Sequence, residues 1–188
     1  SINKKLYMFI AIIFLIGLIT GVIFLFMMDE SSKEIIFLNI NEHIQSIDTF
    51  RINNIVTHLV ILSSLLVLSI FIIGIPFSIF FLFFNGFSIG FIICSITSIF
   101  GLKGLLYSLI YIIITKGLFF FFLSVFLVKL IKIAKLMIEK IIYKKRVTDK
   151  IYKYLKVCLL CFGIIVLNDI ILFFFGIKLI NIFNFLII

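Results

Sequence analysis

The stretch GIPFSIFFLFFNGFSIGF, residues 74–91, contains the only proline in the chain and three of its ten glycines. Long runs of Ile, Leu and Phe flank it, so its helix-breakers decide where one apolar helix ends and the next begins. Asn85–Gly86 is good turn chemistry, because both residues tolerate a positive φ, and the pair predicts the turn between a second and a third helix. On this reading Pro76 falls inside the second helix. There it would leave the carbonyl of Ile72 without its amide donor and kink the helix, with Gly74 giving a neighbouring helix room at the bend. Membrane helices tolerate such breakers because neighbours re-satisfy the backbone.

Composition names the solvent. Of 188 residues, 64% are hydrophobic and 13% charged, and 26 are Phe. Mean hydropathy is +1.41. Soluble domains carry about 45–50% apolar and about 25% charged residues. One water-soluble core cannot hide this much apolar side chain, so the expectation is an integral membrane protein whose first partner is the lipid bilayer. The apolar runs are Leu6–Met28, Leu59–Phe84, Gly86–Phe100, Leu105–Val128 and Val157–Gly176. A spanning helix needs roughly 17–25 residues, which four of them satisfy and residues 86–100 fall just short of.

Lys and Arg set the orientation. Between Asp29 and Thr57 there are two basic residues against five acids, and between Lys129 and Lys156 ten against two. The basic segment and the N-terminus, with Lys4 and Lys5, are expected in the cytoplasm and the acidic loop outside. Spans one and two then lead out and back in. The span that ends at Lys129 also leads in, so an outward crossing must lie between, and residues 86–100 are the stretch available for it. The predicted fold is all-α: one polytopic membrane bundle over residues 1–188, with five transmembrane helices and a cytoplasmic N-terminus. Its spans fall at about 6–28, 59–84, 86–100, 105–128 and 157–176, with an outer loop at 29–58 and a basic cytoplasmic segment at 129–156.

Gly86, Gly90, Cys94 and Ser98 recur every four residues, as do Gly17 and Gly21. Small faces of this kind mark close helix contacts in lipid. They could join helices of one chain or, in a homo-oligomer, two copies; five helices in one chain favour the first. Two charges fall inside spans. Lys116 lies about 16 Å from the outer end of span four and Asp169 about 18 Å from the inner end of span five, at 1.5 Å per residue. Both are central in a hydrocarbon core near 30 Å. A lone charge there is costly, and such residues usually pair or face a cavity. Lys116 and Asp169 are therefore expected to face each other, with Asn168 or Thr115 close by.

No hydrolase or metalloprotease motif appears, and the lone intramembrane Asp has no second Asp for acid–base work. His43 and His58 read as ordinary outer-loop residues, with only Glu42 adjacent to either. The expectation is a non-enzyme with no cofactor, no metal and no catalytic residue. Cys94, Cys158 and Cys161 are read as apolar packing residues without a disulfide. The basic segment either lies along anionic headgroups as an amphipathic helix or extends span four. Its charge is explained by orientation, so nucleic acid is not an expected partner. In the outer loop, Ile36, Ile40, Ile44 and Ile47 stand at helical spacing, predicting one or two short helices.

LYMFIAIIFLIGLITGVIF (6–24), GIPFSIFFLFFNGFSIGF (74–91) and FGLKGLLYSLI (100–110) together resemble the stage II sporulation protein M family, also called DUF95. The motif residues are Gly74 and Pro76, the stretch from Gly86 through Gly90 to Phe91, and Gly101, Lys103 and Gly104 in a Gly-x-Lys-Gly connection. The family's Pro-Gln-Asn in span four is replaced here by Ile114, Thr115 and Lys116. The resemblance implies a multi-pass protein of the bacterial cytoplasmic membrane, in a Gram-positive cell. It would act as a non-enzymatic scaffold that recruits or anchors peptidoglycan-degrading proteins during endospore engulfment. Relatives beside circular-bacteriocin genes imply the alternative, a component of maturation, export or immunity acting with an ABC transporter. On the scaffold reading, Glu42, Asp48 and Arg51 of the outer loop are the candidate partner surface.

Overall fold

The computed structural model describes residues 2–46, 52–70, 74–144 and 147–181. They form five helices in chain order: α1 (Ile2–Met27), α2 (Glu30–Ser46), α3 (Ile52–Ile70), α4 (Gly74–Tyr143) and α5 (Thr148–Asn181). No strand occurs among the described residues. The Lys4–Met27, Gly74–Tyr143 and Thr148–Gly176 segments are long and apolar enough to cross a membrane. Large apolar side chains such as Ile12, Leu15, Ile19, Phe121 and Phe174 cover their outward faces, as lipid rather than water would favour.

The 70 residues of α4 are two helical arms joined at Gly101, whose φ of 62° and ψ of −141° are not helical. That conformation is essentially closed to residues with a Cβ. The chain reverses there. Gly104 packs against the backbone of Ile96, whereas residues eight apart in a continuous helix are about 12 Å distant. The 74–100 arm therefore runs antiparallel to the 102–143 arm. It also runs antiparallel to α3: Gly74 packs against the backbone of Leu68 and Ser69, and Ile61 to Leu68 of α3 line one cavity with Phe77 to Ser88 of the arm. One hydrophobic core runs through α1, α3, α4 and α5, with Leu62, Phe119, Leu123, Phe126, Leu130 and Ile165 at its centre.

The expected turn at Asn85–Gly86 is absent. Both residues are inside the 74–100 arm, and the Asn85 side-chain amide donates to the carbonyl of Phe81 at 2.8 Å. Helices occupy 52–70 and 74–100 rather than 59–84 and 86–100. Pro76 consequently makes no mid-span kink. It lies in the first turn of α4, where a helix has no use for the missing N–H and the fixed φ is already helical. The segment expected as the outer loop, residues 29–58, is largely helical over its described residues, as α2 and the start of α3. Asp29 caps α2, accepting from the Ser32 amide at 3.1 Å and from the Ser31 hydroxyl.

The basic segment does not lie flat as an independent amphipathic helix. It extends both α4 and α5, which run antiparallel, and Lys144 follows the end of α4 at φ 50°. Leu130, Ile133, Ala134 and Val147 are buried in it, with Ile151, Tyr154 and Leu155 packed on the same core. Lys129 and Lys132 lie over the ring of Tyr154, at 5.2 and 5.5 Å from its centroid.

Candidate functional site

Two places carry the residues singled out by sequence. The first is the seam between α1 and the 74–100 arm. Gly17 and Gly21 press on the backbone of Phe83 and Phe87, while Gly86 and Gly90 press on that of Phe14 and Leu18. A Cβ at any of the four would fall inside contact distance of a backbone carbonyl oxygen. The partners advance together along both chains, so the helices are parallel. The carbonyls stand where a Cβ would be, the side from which a glycine Cα–H can make a weak C–H···O contact. The two small-residue faces meet within one chain. Phe14 continues the contact to the 102–143 arm, edge-on to Phe120 at 4.9 Å.

The second place is polar. His58 of α3 and Asp169 of α5 are joined by a 2.7 Å hydrogen bond between Nδ1 and Oδ2. Their side chains are 14% and 9% exposed. The imidazole stacks on Phe119 of α4, centroids 4.6 Å apart and planes 21° from parallel. The Lys116 ammonium sits 5.3 Å from the centroid of the same ring, and Phe119 itself is 1% exposed. Three helices thus contribute to one cluster, His58 from α3, Lys116 and Phe119 from α4 and Asp169 from α5, with the Phe119 ring beside both the cation and the imidazole. An ionised carboxylate only accepts hydrogen bonds, so with Asp169 charged the His58 Nδ1 carries the hydrogen. The Asp169 carboxylate gives its short contact to His58, while the Lys116 ammonium lies by the ring on which that imidazole stacks, Phe119. Buried Thr115 spends its hydroxyl on the Tyr111 carbonyl at 2.7 Å, and the Asn168 Nδ2 is buried without a hydrogen-bond partner.

Helix register explains the shared depth. Cys158 lies against the Phe126 carbonyl and Tyr154 against Lys129 and Lys132. Continued along the antiparallel pair, that register brings Asp169 level with Thr115 and Lys116. The contribution of His58 was not read from sequence, which placed it in a loop. The available clue was that a buried carboxylate needs a donor, and His58 stands near the start of a helix that must pack beside α5.

Of the other named residues, Lys103 is exposed next to the Gly101 reversal. Gly74 is buried against the backbone of Ser69. Glu42 belongs to α2, and Asp48 and Arg51 lie outside the described residues. Cys94, Cys158 and Cys161 are free thiols, and Cys158 and Cys161 are part of the main core. Among the described residues no three His, Cys, Asp or Glu side chains converge as a metal site. No protein-family model, curated protein or solved structure matches the chain.

Proposed function

We propose that the chain is a non-catalytic scaffold of the stage II sporulation protein M type, crossing the bacterial cytoplasmic membrane five times with its N-terminus inside. Its role is to recruit or anchor peptidoglycan-degrading proteins during engulfment. The observation that carries this reading is the use made of the family-like residues. Gly86, Gly90, Gly101 and Gly104 serve helix contact and chain reversal, and none lines a reactive cleft. The alternating directions of α1, α3, the two arms of α4 and α5 are compatible with five crossings, which would put the basic end inside and α2 outside.

The partner surface on this reading is α2 with the segment that follows it. Replacing Glu42, Asp48 and Arg51 by Ala is expected to reduce co-purification of cell-wall hydrolases while leaving membrane expression unchanged. Undiminished capture of every hydrolase by that triple variant would remove the docking surface. The bacteriocin reading, with an ABC transporter as partner, is favoured by a different feature. The antiparallel extensions of α4 and α5 stand beyond the apolar part of the bundle at the basic end, where a cytoplasmic ATPase would act. Gene neighbours separate the two: sporulation genes for the first, a precursor peptide and an ATPase for the second.

A further inference from the structure

A cavity of about 590 Å³ opens between α3 and the 74–100 arm, apart from both the glycine seam and the His58 cluster. Seven of its ten lining residues are Ile, Leu or Phe, and no charged side chain is among them. Sites for small apolar ligands have this character: about 300–1,000 Å³, largely aliphatic and aromatic walls, and a few placed polar groups. One wall is aromatic. The Phe80 and Phe84 rings stand 5.7 Å apart, and Phe77 continues the row. These three side chains are about half exposed, so the cavity is open along its side.

The polar groups are unevenly placed. Gly74 packs on Leu68 and Ser69, which puts Phe77 near the Leu68 end of the cavity. Asn85 and Ser88 come later on the arm, about 12 and 16 Å beyond Phe77 at 1.5 Å per residue, while Ser64 lies part-way along α3. The Ser64 and Ser88 hydroxyls donate within their own helices, to the Ile61 and Phe84 carbonyls at 2.8 and 2.9 Å. Asn85 also donates within its helix, to the Phe81 carbonyl at 2.8 Å. The amide nitrogen must be the atom facing that carbonyl, because an oxygen there would have no hydrogen to offer. Among the described residues nothing donates to the Asn85 Oδ1. The polar end of the cavity therefore retains an amide oxygen and a second amide N–H.

We propose that this cavity binds a neutral single-chain amphiphile headed by a hydroxyl. Its hydrocarbon chain lies along the Phe77–Phe84 wall and its O–H donates to the Asn85 Oδ1. A hydroxyl both donates and accepts, so it matches the oxygen and the N–H that Asn85 has left. A carboxylate or ammonium head would be held among apolar walls without an opposite charge, which is costly. A bare hydrocarbon would fill the walls and leave the Asn85 oxygen unpaired. The site depends neither on the orientation of the chain nor on the scaffold reading.

The test reconstitutes the full chain in phosphatidylcholine vesicles, whose lipids carry no hydroxyl donor, with a diazirine-tagged long-chain alcohol as the probe. Irradiation is expected to label peptides from residues 61–68 and 77–88, and excess untagged alcohol should suppress that label. Asn85→Leu should weaken labelling by the alcohol about tenfold, the scale of one hydrogen bond, and leave labelling by the matching tagged alkane unchanged. Ser64→Phe, which fills the cavity from the opposite helix, should remove labelling by both probes. Competition in the parent chain decides the question even where a variant fails to fold. Label that excess alcohol does not suppress, label spread evenly over the exposed helix faces, or folded Asn85→Leu and Ser64→Phe variants that label like the parent would each overturn the proposal.

Discussion

The α1–α4 seam and the α3–α5 contact hold the same bundle by opposite means. The seam has no ionisable group. Four glycines let two parallel backbones approach until Cα meets carbonyl, so its strength is dispersion and weak C–H···O contacts summed over area. At the α3–α5 contact the helices are held by one hydrogen bond, one aromatic ring and a pair of opposite charges. In lipid, apolar side chains gain little by leaving the solvent, so association relies on close packing or on polar contacts. This chain divides those two resources between its two sides. The division has a consequence: the seam fails by steric intrusion and the polar contact by loss of a partner.

The largest expected effect is therefore at the seam. Gly90→Leu places a side chain where the Leu18 backbone sits, and backbone cannot rotate away. The loss should reach the upper end of the about 1–3 kcal/mol that overpacking costs, or beyond it, read as thermal unfolding in detergent. An unchanged midpoint would mean that the two helices do not touch there. The polar contact comes next. Asp169→Leu strips both His58 and Lys116 of their anionic neighbour, and about 2.5–3.5 kcal/mol is the scale for a lone charge at this depth. Lys116→Leu should cost less, because Asp169 keeps its hydrogen bond from His58. Equal losses would place the two residues in a simple pair, with His58 a bystander.

Gly101 belongs to neither contact but lets α4 serve both. Nothing lies within 4 Å of where its Cβ would be, so Gly101→Ala should cost only the backbone strain, about 1–3 kcal/mol. The smallest effect is expected outside the bundle, at Asp29. Hydrogen bonds from Ser31 and then Ser32 hold its carboxyl down from 3.8 to about 2. A depressed folded value means that its support of α2 is fully present above pH 3.8 and is lost as pH falls through about 2. Asp29→Ala should lower α2 helicity and flatten that acid transition in circular dichroism, without moving the thermal midpoint of the bundle.

Much of this arrangement was legible in sequence. Uncharged runs of sufficient length mark the apolar helices, and the fixed rise per residue placed Lys116 and Asp169 at one depth. Four-residue spacing picked out both glycine faces that meet. The boundaries were harder. Where every residue on both sides of a break is Ile, Leu or Phe, hydropathy does not locate it, and turn chemistry learned from water misleads. Asn85 can satisfy its side chain on the Phe81 carbonyl, and Gly86 is needed for contact with Phe14, so neither ends the helix. The reversal at Gly101 was written into the Gly-x-Lys-Gly motif, but as a connection rather than as one strained residue. His58 was missed because its partner lies 111 residues away and a lone histidine has no local pattern.

The central claim is that α3, α4 and α5 are tied together inside the apolar bundle through His58 and Asp169. A double-mutant cycle tests it most directly. His58→Phe keeps a ring to stack on Phe119 but removes the donor, and Asp169→Asn keeps the shape but removes the charge. Unfolding of the parent, the two single variants and the double variant in the same detergent gives the coupling between the two side chains. Such hydrogen bonds in membrane bundles are worth about 0.6 kcal/mol on average and up to about 1.7 kcal/mol. A coupling in that range is the result predicted, and losses that simply add would contradict it.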